Sequence, residues 1–195
     1  MISYIWKGSD VMSTIILILV IVLIAIVCFV ISTYNGLVTL RNKVRDQFSQ
    51  IDVQLKKRSD LIPNLVETVK GYAKHEDETL EKVIKARNTY LSATTPDDKA
   101  KASGEVSSAI NKLFALAESY PDLKANTNFL DLQNQLKDIE DKISYARQFY
   151  NDSVLMYNNK IEMFPSNIIA GMFNFTKEVF FEANEEERKN VGVKF

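Results

Sequence analysis

The chain begins with one long apolar block and continues as amphipathic stretches of helical period. From Val11 to Ile31 only Ser13 and Thr14 interrupt the apolar character, and Ile15 to Ile31 is unbroken. A hydrocarbon core takes about 20 helical residues, and in lipid a single span must satisfy every backbone group internally. The pattern therefore predicts a transmembrane helix over residues 11–33, preceded by a short tail over 1–10. A cleaved signal peptide is the competing reading, but its apolar core runs only about 7–15 residues and ends at small residues. This run is longer and leads into Ser32-Thr33-Tyr34-Asn35-Gly36, which favours an uncleaved signal anchor. Cys28 follows Ile26 and Val27 rather than small residues, which argues against a lipoprotein.

Beyond the span, apolar residues recur at helical spacing. Leu37, Leu40, Val44, Phe48, Ile51, Leu55, Arg58, Ile62, Leu65, Val69 and Tyr72 continue directly from the membrane, with Pro63 either kinking this helix or starting a new one. A second helix is expected from about Glu76 to Ala93, and a third from about Asp97 to Ser119. The clearest pattern is Phe129, Leu132, Leu136, Ile139, Ile143, Ala146, Tyr150, Val154, Tyr157, Ile161 and Phe164. It is a heptad seam of coiled-coil type with one four-residue stutter, and Asn126, Thr127 or Asn128 could cap it.

Helix lengths then suggest a shape. At 1.5 Å per residue, Tyr34 to Lys74 rises about 60 Å, the two short helices cover only about 27 and 34 Å, and the last helix returns about 55 Å. The expected fold is all-α: a transmembrane helix continuing into an antiparallel helical bundle over 34–165, four-helical distally and two-helical near the membrane. The two-helix part leaves the seam of Leu37, Val44, Phe48, Tyr150, Val154 and Tyr157 to be covered by the C-terminal tail or by other copies. Residues 166–195 form an apolar, membrane-proximal segment and tail containing Ile168, Ile169, Met172, Phe173, Phe175, Val179, Phe180 and Phe181. That segment either contacts lipid or plugs the base of the bundle.

Charge sharpens this division. The 195 residues carry 24 Lys+Arg against 25 Asp+Glu, for a net charge of −1, yet residues 11–40 carry none. The near-neutral total lacks the electrostatic footprint of a nucleic-acid binder, so no nucleic-acid partner is expected. Gly and Pro number only 6 and 4, which favours long helices over a turn-rich β fold. Arg41, Lys43 and Arg45 follow the span, and the positive-inside bias places the C-terminal domain in the cytoplasm. The single Cys lies within the span, so no intrachain disulfide is expected.

The inventory for chemistry is nearly empty. His75-Glu76 resembles the start of H-E-x-x-H, but position 79 is Thr. One His and one membrane-buried Cys make a nitrogen/sulfur zinc site within one chain implausible. There is no G-x-S-x-G elbow, and the scattered glycines form no phosphate-cradling loop, so neither an enzyme nor a cofactor is expected. Asp97-Asp98 and Glu140-Asp141 fall where helix starts or solvated faces explain them. Arg58 is the exception, because its spacing puts a charge in the apolar seam. Either a carboxylate such as Glu140 pairs with it, or it snorkels to water.

The stretch Ile51–Glu76, with Arg58-Ser59-Asp60-Leu61-Ile62-Pro63-Asn64-Leu65-Val66 at its centre, resembles the signature of the bacterial LemA family. Further matching blocks are Ala86-Arg87, Tyr120-Pro121-Asp122-Leu123-Lys124-Ala125-Asn126, Ala146–Asn151, Tyr157-Asn158, Phe164-Pro165 and Phe180-Phe181-Glu182. The departure is Gly171-Met172-Phe173-Asn174-Phe175, where a Gly-Phe pair is expected. The resemblance covers residues 30–195 and implies a single-pass bacterial inner-membrane protein with a helical bundle and no established enzymatic activity. It also makes a membrane protease or another membrane protein a reasonable partner. The expected function is a membrane-anchored, non-enzymatic interaction module, a scaffold or adaptor that forms homo-oligomers. The alternative is a lipid-organising or membrane-remodelling protein acting through residues 166–181.

Overall fold

The computed structural model describes residues 2–73 and 75–181, with side chains described from Met12 onward. Among the described residues there are six helices and no strand: α1 (Ile2–Lys70), α2 (Asp77–Ser92), α3 (Pro96–Ala117), α4 (Pro121–Lys124), α5 (Thr127–Glu162) and α6 (Ser166–Met172). The expected all-α architecture is what the chain adopts, with the apolar N-terminal helix running on into helical packing. The expectations for residues 182–195 lie outside the described residues.

Pro63 neither ends α1 nor starts a new helix. Its ring nitrogen has no hydrogen to give the carbonyl of Ser59, one turn back. Arg87 of α2 takes that place, its Nε donating to the Ser59 oxygen at 2.9 Å. The position that breaks the α1 ladder therefore becomes the point where α2 is tied to α1.

The chain forms two compact units, residues 1–43 with 155–178, and residues 44–154 with 179–195. In the second unit the core comprises Ile51, Leu55, Ile62, Leu65 and Val69 of α1 with Val83 and Tyr90 of α2, Val106 and Leu113 of α3, Leu123 of α4, and Phe129, Leu136 and Ile143 of α5. Within each helix these recur at spacings of three, four or seven residues, the stripe that an amphipathic helix buries. Helix α3 starts one residue earlier than its apolar pattern indicates. Thr95 caps it by accepting from the Asp98 amide at 3.1 Å, and Pro96 occupies the first helical position, where a missing N–H costs nothing. Asn126 caps α5, its Oδ1 accepting from the Phe129 amide at 3.0 Å while its Nδ2 donates to the Tyr72 hydroxyl at 2.9 Å.

In the first unit α1 is exposed from Met12 through Phe29; Val30 is half-buried, and Thr33 and Leu37 are buried. The apolar segment of α1 is long and apolar enough to cross a membrane. Tyr157 and Asn158 of α5 and Ser166, Ile169 and Ala170 of α6 complete the buried set, together with Phe175 beyond it. Asn174 has φ 54°, the left-handed conformation that ends helices, and closes α6 as glycine usually does. The Phe175 amide donates back to the Ala170 carbonyl at 2.9 Å, and the Asn174 amide to that of Gly171 at 3.3 Å. Asn tolerates this backbone better than other side chains, so the departure from a Gly-Phe pair leaves the turn intact.

Candidate functional site

In each unit α5 holds backbone from residues 178–181 of the same chain. In the second unit the Tyr150 hydroxyl donates to the Val179 carbonyl at 2.8 Å. Asn151 grips the next stretch twice, Nδ2 donating to the Phe181 carbonyl at 3.1 Å and Oδ1 accepting from its amide at 2.8 Å. The Arg147 guanidinium lies over the Phe181 ring, 4.6 Å from its centroid, and the Phe48 and Tyr150 rings meet edge-on at 5.8 Å. In the first unit Asn158 repeats the grip on Glu178, accepting from its amide at 3.0 Å and donating to its carbonyl at 2.9 Å. Leu37 and Tyr157 are buried in the first unit, and Val44, Tyr150 and Val154 in the second, where Phe48 is half-buried.

Two asparagines seven residues apart on α5 thus each hold both the amide and the carbonyl of one residue outside the helices, Asn151 at Phe181 and Asn158 at Glu178. Sequence reasoning about apolar seams missed both, because they act on backbone rather than on side chains. Both lie in the blocks Ala146–Asn151 and Tyr157-Asn158 quoted for the LemA resemblance, which give no sign of the backbone they hold.

The residues of the apolar segment divide into two sets. Ile169, Phe175 and Phe181 are buried, whereas Ile168, Met172, Phe173, Val179 and Phe180 are exposed. Phe164, which the spacing puts at the end of the α5 seam, is 80% exposed, because α5 stops at Glu162 and the residue leaves the helical register. Near the end of the apolar span, the Tyr34 ring meets those of Phe173 at 4.7 Å and Phe175 at 5.7 Å, and Arg41 lies over Phe175 at 5.0 Å.

Arg58 and Glu140 are brought together in the second unit. Arg58 is 2% exposed, and its Nη1 donates to Glu140 Oε2 at 2.7 Å and to Ser107 Oγ at 2.8 Å. Its Nη2 donates to both the carbonyl and the hydroxyl of Ser103, each at 2.9 Å. Arg147 reaches the same Ser103 hydroxyl at 3.0 Å. The small residues Ala102, Ser103 and Gly104 of α3 are all buried there, leaving room for a guanidinium against the helix backbone. Burial pushes the Arg58 pKa down, and the Glu140 charge and hydrogen bond oppose that shift. A groove of about 440 Å³, lined by Ile110, Phe114 and Leu136 among others, opens beside this pair. Glu140 lines it too, with its side chain 42% exposed. The arrangement positions a charge and orients three helices.

Other polar groups knit the same unit. Asp52 accepts from Tyr90 at 3.1 Å and from Lys99 at 2.6 Å, and Glu76 accepts from Tyr120 at 3.0 Å. His75 is exposed in the connector before α2.

This combination, a proline-bearing α1 tied by Arg87, a buried Arg58, and Asn-held terminal backbone, is built from the blocks quoted for the LemA resemblance. The LemA family profile matches residues 47–195. The chain belongs to the LemA family. Protein LemA of Metamycoplasma hominis is 28% identical over 163 residues, covering 82% of this chain and 73% of that protein. Two magnetosome proteins, MamQ 2 of Paramagnetospirillum magneticum and MamQ of Magnetospirillum gryphiswaldense, are 23% and 22% identical over 185 residues. Each alignment covers 82% of this chain and 68% of the relative. With its apolar N-terminal helix, this LemA-family chain is a membrane-associated helical protein.

Proposed function

We propose that this LemA-family chain is a non-enzymatic, single-pass interaction module of the bacterial inner membrane, serving as a scaffold or adaptor. Arg41, Lys43 and Arg45 support a cytoplasmic C-terminal part. The observation that carries the reading is in the second unit, where Tyr145 and Phe149 stand one turn apart on α5, 65% and 59% exposed. Aromatic side chains dominate interface energetics, and two large ones side by side on a solvated helix mark a docking face. Tyr150, Asn151 and Asn158 of α5 are already engaged with residues 178–181 of the same chain, so the exposed Tyr145 and Phe149 offer the better surface for a second copy or another membrane protein.

Photo-crosslinking residues introduced at Tyr145 and Phe149 in membranes test this. The expected result is a discrete adduct, either a dimer of this chain or one heterologous protein, weakened by Tyr145→Ser with Phe149→Ser. A single monomeric mass from both positions would overturn it.

A further inference from the structure

We infer that α6 and the turn before it form an interfacial wedge, with Phe164, Ile168 and Met172 seated among lipid headgroups and upper acyl chains beside the membrane span. The inference goes beyond the protein-docking role and shares with it only the reading of α1 as a span. Its geometry lies within the first unit.

Depth comes first. Residues Val11–Ile31 rise about 30 Å as a helix, which matches the thickness of a hydrocarbon core. Tyr34, three residues further on, then lies about 5 Å beyond the core, at the level where tyrosine is enriched in membrane proteins. The ring contact of Phe173 with Tyr34, 4.7 Å between centroids, fixes the end of α6 at that level.

Orientation follows from burial. Ser166, Ile169 and Ala170 face the protein, while Ile168 and Met172, one turn apart, face out. Met163 and Phe164 in the turn before α6 are also exposed, as is Phe173 after it. The surface is held in place. Ser166 Oγ donates to the Lys160 carbonyl at 2.7 Å at one end, and the left-handed Asn174 closes the other. Lys177 pairs with Glu162 beside it, a polar border suited to the headgroup side. Water would meet a contiguous apolar face here, whereas a bilayer at the depth set by Tyr34 would cover it without any further protein.

The test uses the full chain with Cys28→Ala, carrying an environment-sensitive fluorophore on single cysteines, in phosphatidylethanolamine/phosphatidylglycerol vesicles. Positions are Phe164→Cys, Ile168→Cys and Met172→Cys, with Leu19→Cys in the span and Lys56→Cys in the solvated part of α1 as references. The labels at positions 164, 168 and 172 are expected to shift to the blue and to be quenched more by spin labels near the headgroup than by labels at the chain end. Quenching by aqueous iodide to the level of Lys56→Cys, with Leu19→Cys still quenched by lipid, would overturn the wedge and leave the span standing. Shielding from both quenchers would assign the face to a protein partner and also overturn it. An aqueous Leu19→Cys would instead remove the span, and the wedge with it.

Discussion

Arg58 places a full charge among four acceptors, of which only Glu140 carries the opposite charge. Removing one partner of such a pair costs more than replacing the charge with an apolar side chain of similar length, because a stranded guanidinium keeps its desolvation penalty. Glu140 is partly solvated and three neutral acceptors remain, so Glu140→Gln is expected to cost about 1–2 kcal/mol. Arg58→Ala, which also opens a cavity, is expected to cost about 3 kcal/mol, and Arg58→Met less than half of that. Chemical denaturation of the three variants checks the order. Tyr90 gives a pH signature. Burial first, and then the Asp52 charge, push its phenol well above the ordinary value. The unfolded phenol ionises near pH 10, so the Tyr90 contribution is complete below that pH and is lost as pH rises above it. Melting temperature should fall more steeply above pH 10 in the parent than in Tyr90→Phe.

At the scale of elements, helix ends carry much of the specification. Asn174 adopts a left-handed backbone that β-branched residues resist, so Asn174→Val is expected to destabilise by about 1–2 kcal/mol while Asn174→Gly is neutral or slightly stabilising. Thermal melts of the two variants in detergent would separate strain from lost side-chain contacts. The apolar span was legible from its unbroken length, and the buried positions of α1 and of α5, such as Leu136, Ile143 and Tyr150, because burial on one helix face imposes a period. The Arg58–Glu140 contact was legible as one of two alternatives, since helical rise alone sets which turns of α1 and α5 pass each other. Three features were not legible. Asn151 and Asn158 bind remote backbone, which no local period records. The Arg87 contact depends on a carbonyl released by Pro63, a relation between two helices. Tyr145 and Phe149 are apolar yet exposed, so a reading that sends aromatic residues inward passes over them.

At the scale of the whole molecule, α1 and α5 each contribute to both compact units, and the terminal segment supplies backbone to each. Losing the paired bonds of Asn151 leaves the Phe181 amide and carbonyl without their partners. Asn151→Ala is therefore expected to cost about 1–2 kcal/mol and to speed amide exchange at Phe181 well before it affects α2 or α3. Equal exchange at Phe181 in parent and variant would show that the grip adds nothing.

The grip on Phe181 also has a consequence in time. A ribosome adds about 5–20 residues per second, so Asn151 emerges roughly 2–6 s before the backbone it is built to hold. During that interval the face of α5 is complete but its own strap has not been made, and the terminal segment of an older neighbouring chain could occupy it. Crowded synthesis on one messenger would then favour chains that exchange their ends, so the ratio of self-strapped to exchanged chains should depend on translation rate as well as on concentration.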